Sequence, residues 1–188
     1  MKVQRVADKL RRFYHYHPGA VAVIGVRDEK NGANFMPAVW NTGLSFDPPL
    51  FGVAVSPKRH TYGLLKDGRP FSVSFFPFEK AGLVARLGSV SGAEVNKVEA
   101  FGLEVFGGEV LEVPLLKGAF AAYELEPAGR FQTGDHDLFV GRVRAVWEAE
   151  GAFNEHGVPT PDRVEALLYF GRFIYGKPAK ETRFLKFK

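Results

Sequence analysis

The sequence predicts a mainly β protein, an antiparallel β-barrel with short peripheral helices, and three observations carry that expectation. Apolar runs of strand length, rich in valine and phenylalanine, recur along most of the chain. They are punctuated by turn signals, above all Asn31-Gly32 and Asp47-Pro48-Pro49. Helical patterns are short and few, the clearest being at the N-terminus and in two central stretches.

In chain order, Val3, Val6, Ala7, Leu10 and Phe13 line one face of an expected helix over 2–15, which "HPG" at 17–19 stops. "AVAVIGV" at 20–26 reads as a strand, and Asn31-Gly32 supplies the positive φ angles of a hairpin that brings back "FMPAVWNTG" at 35–43. Pro37 in that return strand fits only an edge, a bulge or a place beside a ligand. "SFDPP" is a rigid turn, "LFGVAV" at 50–55 a third strand and "FSVSFF" at 71–76 a fourth. Helical spacing returns in "EKAGLVARLG" and "AEVNKVEAFG", followed by the strand-like "LEVF", "AFAAYELEP" and "DLFVGRVRAVWEAEG". The last of these alternates Phe139, Gly141, Val143, Ala145 and Trp147 with Val140, Arg142, Arg144, Val146 and Glu148, so one side is expected to be largely solvated. At 160–188, a Thr160 cap and a proline start lead into an aromatic run and a basic tail. With no repeat or flexible linker, the expectation is one domain over 1–188, its barrel at about 20–150.

The 188 residues contain no cysteine, which removes disulfides, thiolate metal sites and a cysteine nucleophile. No stretch is apolar for the ~18 residues of a membrane span, and the N-terminus lacks the apolar region of a secretory signal, so a cytoplasmic protein without a membrane partner is expected. A net charge of +4 suits an anionic ligand better than duplex nucleic acid, and no nucleic-acid partner is expected. Neither G-x-G-x-x-G after a strand nor a P-loop occurs, and "GSVSG" at 88–92 is not a serine-hydrolase elbow. His15, His17, His60, His156 and Asp135-His136-Asp137 show no metal-ligand spacing, so no metal is expected.

Two polar clusters remain. Ser56, Lys58, Arg59, His60 and Thr61 gather cations and hydroxyls at a strand end, where the amides opening a short helix would also suit a phosphate; the alternative is a solvated turn. "TGDHD" at 133–137 puts His136, an imidazole able to bind a ligand or move a proton, before the long last strand. Taken alone, it reads better as an Asx-type turn.

Three ordered motifs, "NFMPAVWNTGLSFDPPLFGVAVSPKRHTYGLLKDGRPFSVSFF", "GSVSGAEVNKVEAFGLEV" and "GDHDLFVGRV", resemble the flavin reductase-like family, and the likeness runs from "HPGAVAVIGV" to "YFGRFIYG". The resemblance implies an FMN-binding split β-barrel of Greek-key type and a homodimer with flavin at the subunit interface. The cofactor would be FMN, sometimes FAD, with NADH or NADPH as co-substrate. It further implies that Pro37, Ala38, Val39, Trp40 and Asn41, with Thr42 and Ser45, line the flavin ring and ribityl chain. Ser56, Lys58, Arg59, His60 and Thr61 would hold the phosphate, while Ser89, Ser91 and Lys97 add polar contacts. His136 would be the catalytic residue beside flavin or nicotinamide, and Tyr175 would complete the rim. Pro37 and Val39 stand where many relatives have small or hydroxyl residues, and Trp40 either stacks near the ring or fills the barrel, packing being the favoured reading. The implied activity is an NAD(P)H-dependent flavin oxidoreductase that supplies reduced flavin or electrons to a partner oxygenase or acceptor. The alternative is an FMN-binding electron carrier or sensor without NAD(P)H turnover. Flavin chemistry explains the missing catalytic motifs, because the cofactor rather than the protein supplies the reactive centre.

Overall fold

The computed structural model describes residues 13–183. Its main feature is a seven-stranded antiparallel sheet formed by β2 (Ala22–Asp28), β3 (Gly32–Ala38), β4 (Asn41–Phe46), β5 (Pro49–Val55), β6 (Phe71–Phe75), β9 (Ala121–Gln132) and β10 (Asp137–Glu148), in the order β3-β2-β6-β9-β10-β5-β4. β1 (Gly19–Ala20), β11 (Leu168–Gly171) and β12 (Ile174–Gly176) form a second sheet, and β7 (Val105–Gly107) pairs with β8 (Pro114–Leu116). The helices are short: α1 (His60–Lys66), α2 (Ala81–Ser89), preceded by a 3₁₀ turn at Phe78–Lys80, and α3 (Lys97–Ala100).

The curl of the sheet follows from its connectivity. β3 and β4 are its opposite edges, yet only Val39 and Trp40 join them, so the two edges must lie next to each other. The order contains no β3–β4 ladder, which leaves the barrel split along this seam. Trp40 anchors the crossing by accepting the Ala54 amide at 2.8 Å, and the Asn41 side chain donates to the Ala38 carbonyl at 2.9 Å.

The apolar run of β2 is buried on both faces, as expected of a central strand with no polar alternation. Ala22, Ile24 and Val26 enter the barrel interior with Val53, Val55, Phe71, Val73, Leu125 and Phe139. Val21 and Val23 face the other way, against Phe35 and against Val84 and Leu87 of α2. α2 thereby covers the outer face of β2 and β3 and brings its C-terminal end to the seam.

Several expected elements take a different form. Of the helix expected over 2–15, residues 2–12 lie outside the described residues, and 13–15 are not helical. The hairpin loop has three residues between paired Asp28 and Gly32, and Gly32 alone takes a positive φ (+74°); Asn31 does not. The expected return strand 35–43 divides into β3 and β4, because the chain must leave one sheet edge for the other at Val39-Trp40. Pro37 sits on edge strand β3, where its missing N–H costs no ladder bond. The helical pattern at 93–102 yields only the four residues of α3. At Thr160 the helix signal yields one turn, its carbonyl accepting the Arg163 and Val164 amides. The chain beyond it prefers the β11–β12 hairpin, whose Arg172 and Phe173 both have positive φ. The solvated face of β10 is as expected at Arg142, Arg144, Val146 and Glu148, while Val140 is buried.

Candidate functional site

A cleft of about 410 Å³ opens along the seam, within the range of small-molecule sites. One wall is apolar, built from Met36, Pro37, Ala38, Val39 and Trp40 where the chain crosses between the sheet edges, with Ala54 and Val55 of β5 beside them. The opposite wall is polar and cationic. It consists of Ser56, Lys58, Arg59, His60 and Thr61 after β5, the C-terminal end of α2 with the loop that follows it (Leu87–Gly92), and Lys97 at the start of α3. His136, from the turn before β10, stands at the mouth with its ring centroid 4.5 Å from that of Trp40.

The polar wall is held from behind. Lys97 is buried, and its Nζ donates to the carbonyls of Leu87 (2.6 Å) and Phe35 (2.8 Å). Burial first, and then the nearby Arg59 charge, bring its pKa down to about 8. His60 Nε2 lies 2.9 Å from Oδ2 of buried Asp28. Burial would push the Asp28 carboxyl up, but hydrogen bonds from His60, the Lys30 amide and Asn31 outweigh it and hold it below the ordinary aspartate range. Asn34 Nδ2 donates to Thr61 Oγ1 at 2.8 Å. Asn34 Oδ1 is a buried polar atom with no partner among the described residues. At the mouth, His136 Nδ1 lies 2.8 Å from Asp135 Oδ1. That hydrogen bond, followed by the imidazole charge, keeps the Asp135 carboxyl below its ordinary range.

Of the residues singled out in the sequence, Pro37, Ala38, Val39, Trp40, Ser56, Lys58, Arg59, His60, Thr61, Ser89, Ser91, Lys97 and His136 converge on this cleft. Asn41, Thr42, Ser45 and Tyr175 do not line it. The first three lie on edge strand β4, with Asn41 spent on the Ala38 and Ala20 carbonyls and Thr42 donating to Gly43. Tyr175 packs against Tyr169 in the small sheet. The serine hydroxyls are partly engaged within their own loop, Ser89 with the Arg86 carbonyl and Ser91 with the Ala93 amide. Sequence reading missed Met36, Val90 and Gly92, which flank chosen residues, and Tyr14, which had no signal. It also missed Asp28, whose role as a partner of His60 depends on a fold contact 32 residues away.

A flat ring against the apolar seam with an anionic tail among the cations satisfies both walls at once. A split barrel with such a cleft defines a class of flavin-handling proteins, and comparison with known proteins places the chain within it: residues 13–176 match the flavin reductase like domain, so the chain belongs to that family. An FMN-binding protein from Thermus thermophilus, crystallised with bound 1-cyclohex-2-enone, superimposes with a TM-score of 0.90 at 55% identity, over 98% of this chain and 100% of that one. The same protein has also been crystallised with p-hydroxybenzaldehyde. A protein with a split barrel domain from Shewanella frigidimarina, 16% identical, shares the fold at a TM-score of 0.83 over 92% of this chain and 88% of that one. The NADH-dependent flavin reductase StyB of Pseudomonas fluorescens is 27% identical over 158 residues, 84% of this chain and 82% of StyB. A protein of Aeropyrum pernix is 32% identical over 153 residues, 81% of this chain. The chain spans 57% of the length of that relative and 64% of one from Archaeoglobus fulgidus. No helix among the described residues is long and apolar enough to cross a membrane.

Proposed function

We propose that the protein binds FMN in the seam cleft and accepts a hydride from NADH or NADPH, passing reduced flavin or electrons to a partner oxygenase or another acceptor. The observation that carries this reading is the meeting, in one cleft, of the apolar crossing Pro37–Trp40 with the cationic wall of Lys58, Arg59, His60 and Lys97. Family membership and the 55% identity to a Thermus FMN-binding protein support the cofactor, and the more distant StyB supports the nicotinamide. Bound flavin supplies the hydride chemistry, so the chain's own residues need only bind, orient and exclude water. In this reading Pro37–Trp40 pack on the ring, Lys58 and Arg59 neutralise the phosphate, and His136 borders the place where a nicotinamide would approach.

Cyclohexenone and p-hydroxybenzaldehyde in the Thermus structures favour a second acceptor reading, a small conjugated carbonyl compound. An electron carrier that ignores nicotinamides is the competing class. Fully exposed Phe46 and largely exposed Phe173 support a homodimer, which light scattering of the purified protein tests.

Anaerobic mixing of the protein, supplied with FMN, with NADH or NADPH decides between the classes. Bleaching near ~450 nm by either nicotinamide supports the oxidoreductase, and bleaching by dithionite alone supports the carrier. A colourless protein that takes up no FMN would refute both. In Arg59→Ala, FMN affinity falls more than the thermal stability of the flavin-free protein; unchanged affinity would remove Arg59 from the phosphate site.

A further inference from the structure

Asp28 is a buried carboxylate at the end of β2 that lies behind the cleft rather than on its surface, and nothing in flavin chemistry requires it there. A buried charge of this kind is costly unless it is fully paired. Its pairing is specific. Oδ2 lies 2.9 Å from His60 Nε2 and accepts Asn31 Nδ2 at 3.3 Å, and Oδ1 accepts the Lys30 amide at 3.1 Å. The same Asn31 Nδ2 donates to the Gly92 carbonyl at 3.0 Å, and Lys30 Nζ to that of Ala93 at 3.1 Å. The tip of the β2–β3 hairpin thus grips both loops of the cationic wall, the one carrying His60 and the one ending at Gly92.

An ionised carboxylate only accepts, so Nε2 of His60 must carry a proton, leaving Nδ1 as the nitrogen without a protein partner among the described residues. Nδ1 is therefore the nitrogen that a phosphate oxygen would meet, with Asp28 holding the ring from behind.

Resting on the reading that the flavin phosphate lies against Lys58, Arg59 and His60, we infer that Asp28 is a positioning residue for that phosphate, fixing His60 and the Gly92 loop so that the cleft prefers FMN to riboflavin. Asp28 touches neither ligand and acts through the imidazole. Orphaned Asn34 Oδ1 lies behind the same wall, and a Cβ built on Gly92 would meet it at 2.0 Å and His60 Cδ2 at 2.9 Å, so the Gly92 backbone packs directly against both side chains.

The test is the affinity of the flavin-stripped protein for FMN and for riboflavin, read by flavin fluorescence, in wild type, Asp28→Asn, His60→Gln and the double variant. Loss of a charge-assisted hydrogen bond predicts FMN binding weaker by about tenfold or more in each single variant, with riboflavin within about twofold. Because Asp28 acts through His60, the double variant binds FMN no more than about twofold worse than the weaker single variant. Equal losses for both flavins, unchanged FMN affinity in Asp28→Asn, or losses that multiply in the double variant would overturn the inference. If Asp28→Asn does not fold, the FMN-to-riboflavin ratio of His60→Gln decides in its place, an unchanged ratio overturning the inference. Failure of the parent reading looks different, since wild type itself would then bind both flavins equally.

Discussion

Lys97 ties the end of α2 to β3 across the base of the cleft: its Nζ donates to the Leu87 carbonyl at 2.6 Å while holding the Phe35 carbonyl at 2.8 Å. The position also favours a cation, because the last carbonyls of a helix are its negative end. Burial works against the charge and lowers the pKa to about 8 from 10.5.

The sign of the resulting pH dependence is fixed. A lysine whose folded pKa is lowered costs stability while it is protonated in the fold. Between pH about 8 and 10.5 the unfolded chain binds a proton that the folded one does not, so this residue's contribution rises with pH there, by up to ~1.4 kcal/mol per unit. Neutral amine still has two N–H groups for the two carbonyls. Denaturant unfolding of wild type and Lys97→Met therefore shows the wild-type advantage widening between pH 8 and 10. A constant or shrinking difference contradicts this account.

Glu124 also stabilises more as pH rises, but in the acid range. It is fully buried on β9 and accepts the amides of Glu109 (2.9 Å), Val110 (3.1 Å) and Leu111 (2.7 Å) together with the Trp147 indole (2.9 Å). Burial pushes its carboxyl up, but these four donors outweigh burial and hold it below the ordinary glutamate range. A lowered carboxyl stabilises above its unfolded pKa, and that stability is lost as pH falls through the folded value. Glu124→Gln replaces one acceptor oxygen with a donor facing donors, and is expected to lose ~2 kcal/mol or more at pH 7. The wild-type advantage should shrink as pH falls through and below the ordinary glutamate range, which acid unfolding followed by tryptophan fluorescence measures.

Two glycine-to-alanine substitutions are predicted to differ in sign. At Gly92 a Cβ would meet Asn34 Oδ1 at 2.0 Å and His60 Cδ2 at 2.9 Å, so both side chains would have to shift. Overpacking of that kind costs ~1–3 kcal/mol, so Gly92→Ala lowers the melting temperature by several degrees and weakens FMN binding. Gly63, within helix α1, has open space around its Cβ position, and Gly63→Ala should stabilise by about 0.5–1 kcal/mol. A fall in both variants would show that the space around Gly92 is not what matters.

The strands were legible because each carries its burial in its own pattern: the unbroken apolar run of β2, and the alternation of Arg142, Arg144 and Val146 on β10. What escaped depends on contacts between distant segments. The break at Val39-Trp40 is imposed by joining the two edges of one sheet, and nothing local to those residues marks it. Thr160-Pro161 is a sound helix start that tertiary pairing overrides after one turn, because the aromatic run beyond it joins β1 as a strand. In the cleft the cations and His136 were legible by residue type, whereas Asp28 and Asn34 act only through partners 32 and 27 residues away.

His136 carries the last prediction. The Asp135 carboxylate accepts, so His136 Nδ1 donates, and Nε2 is left for a ligand at the mouth of the cleft beside Trp40. His136→Asn retains a side chain of similar reach but loses the distal ring nitrogen. On the proposed function it keeps FMN affinity within about twofold and slows reduction by NADH or NADPH by at least about tenfold, measured by stopped-flow bleaching of bound flavin. Asp135→Ala, which frees the ring without removing it, falls between the two. If His136→Asn is reduced at the wild-type rate, the residue serves only the turn, where its carbonyl accepts the Thr133 hydroxyl at 2.8 Å.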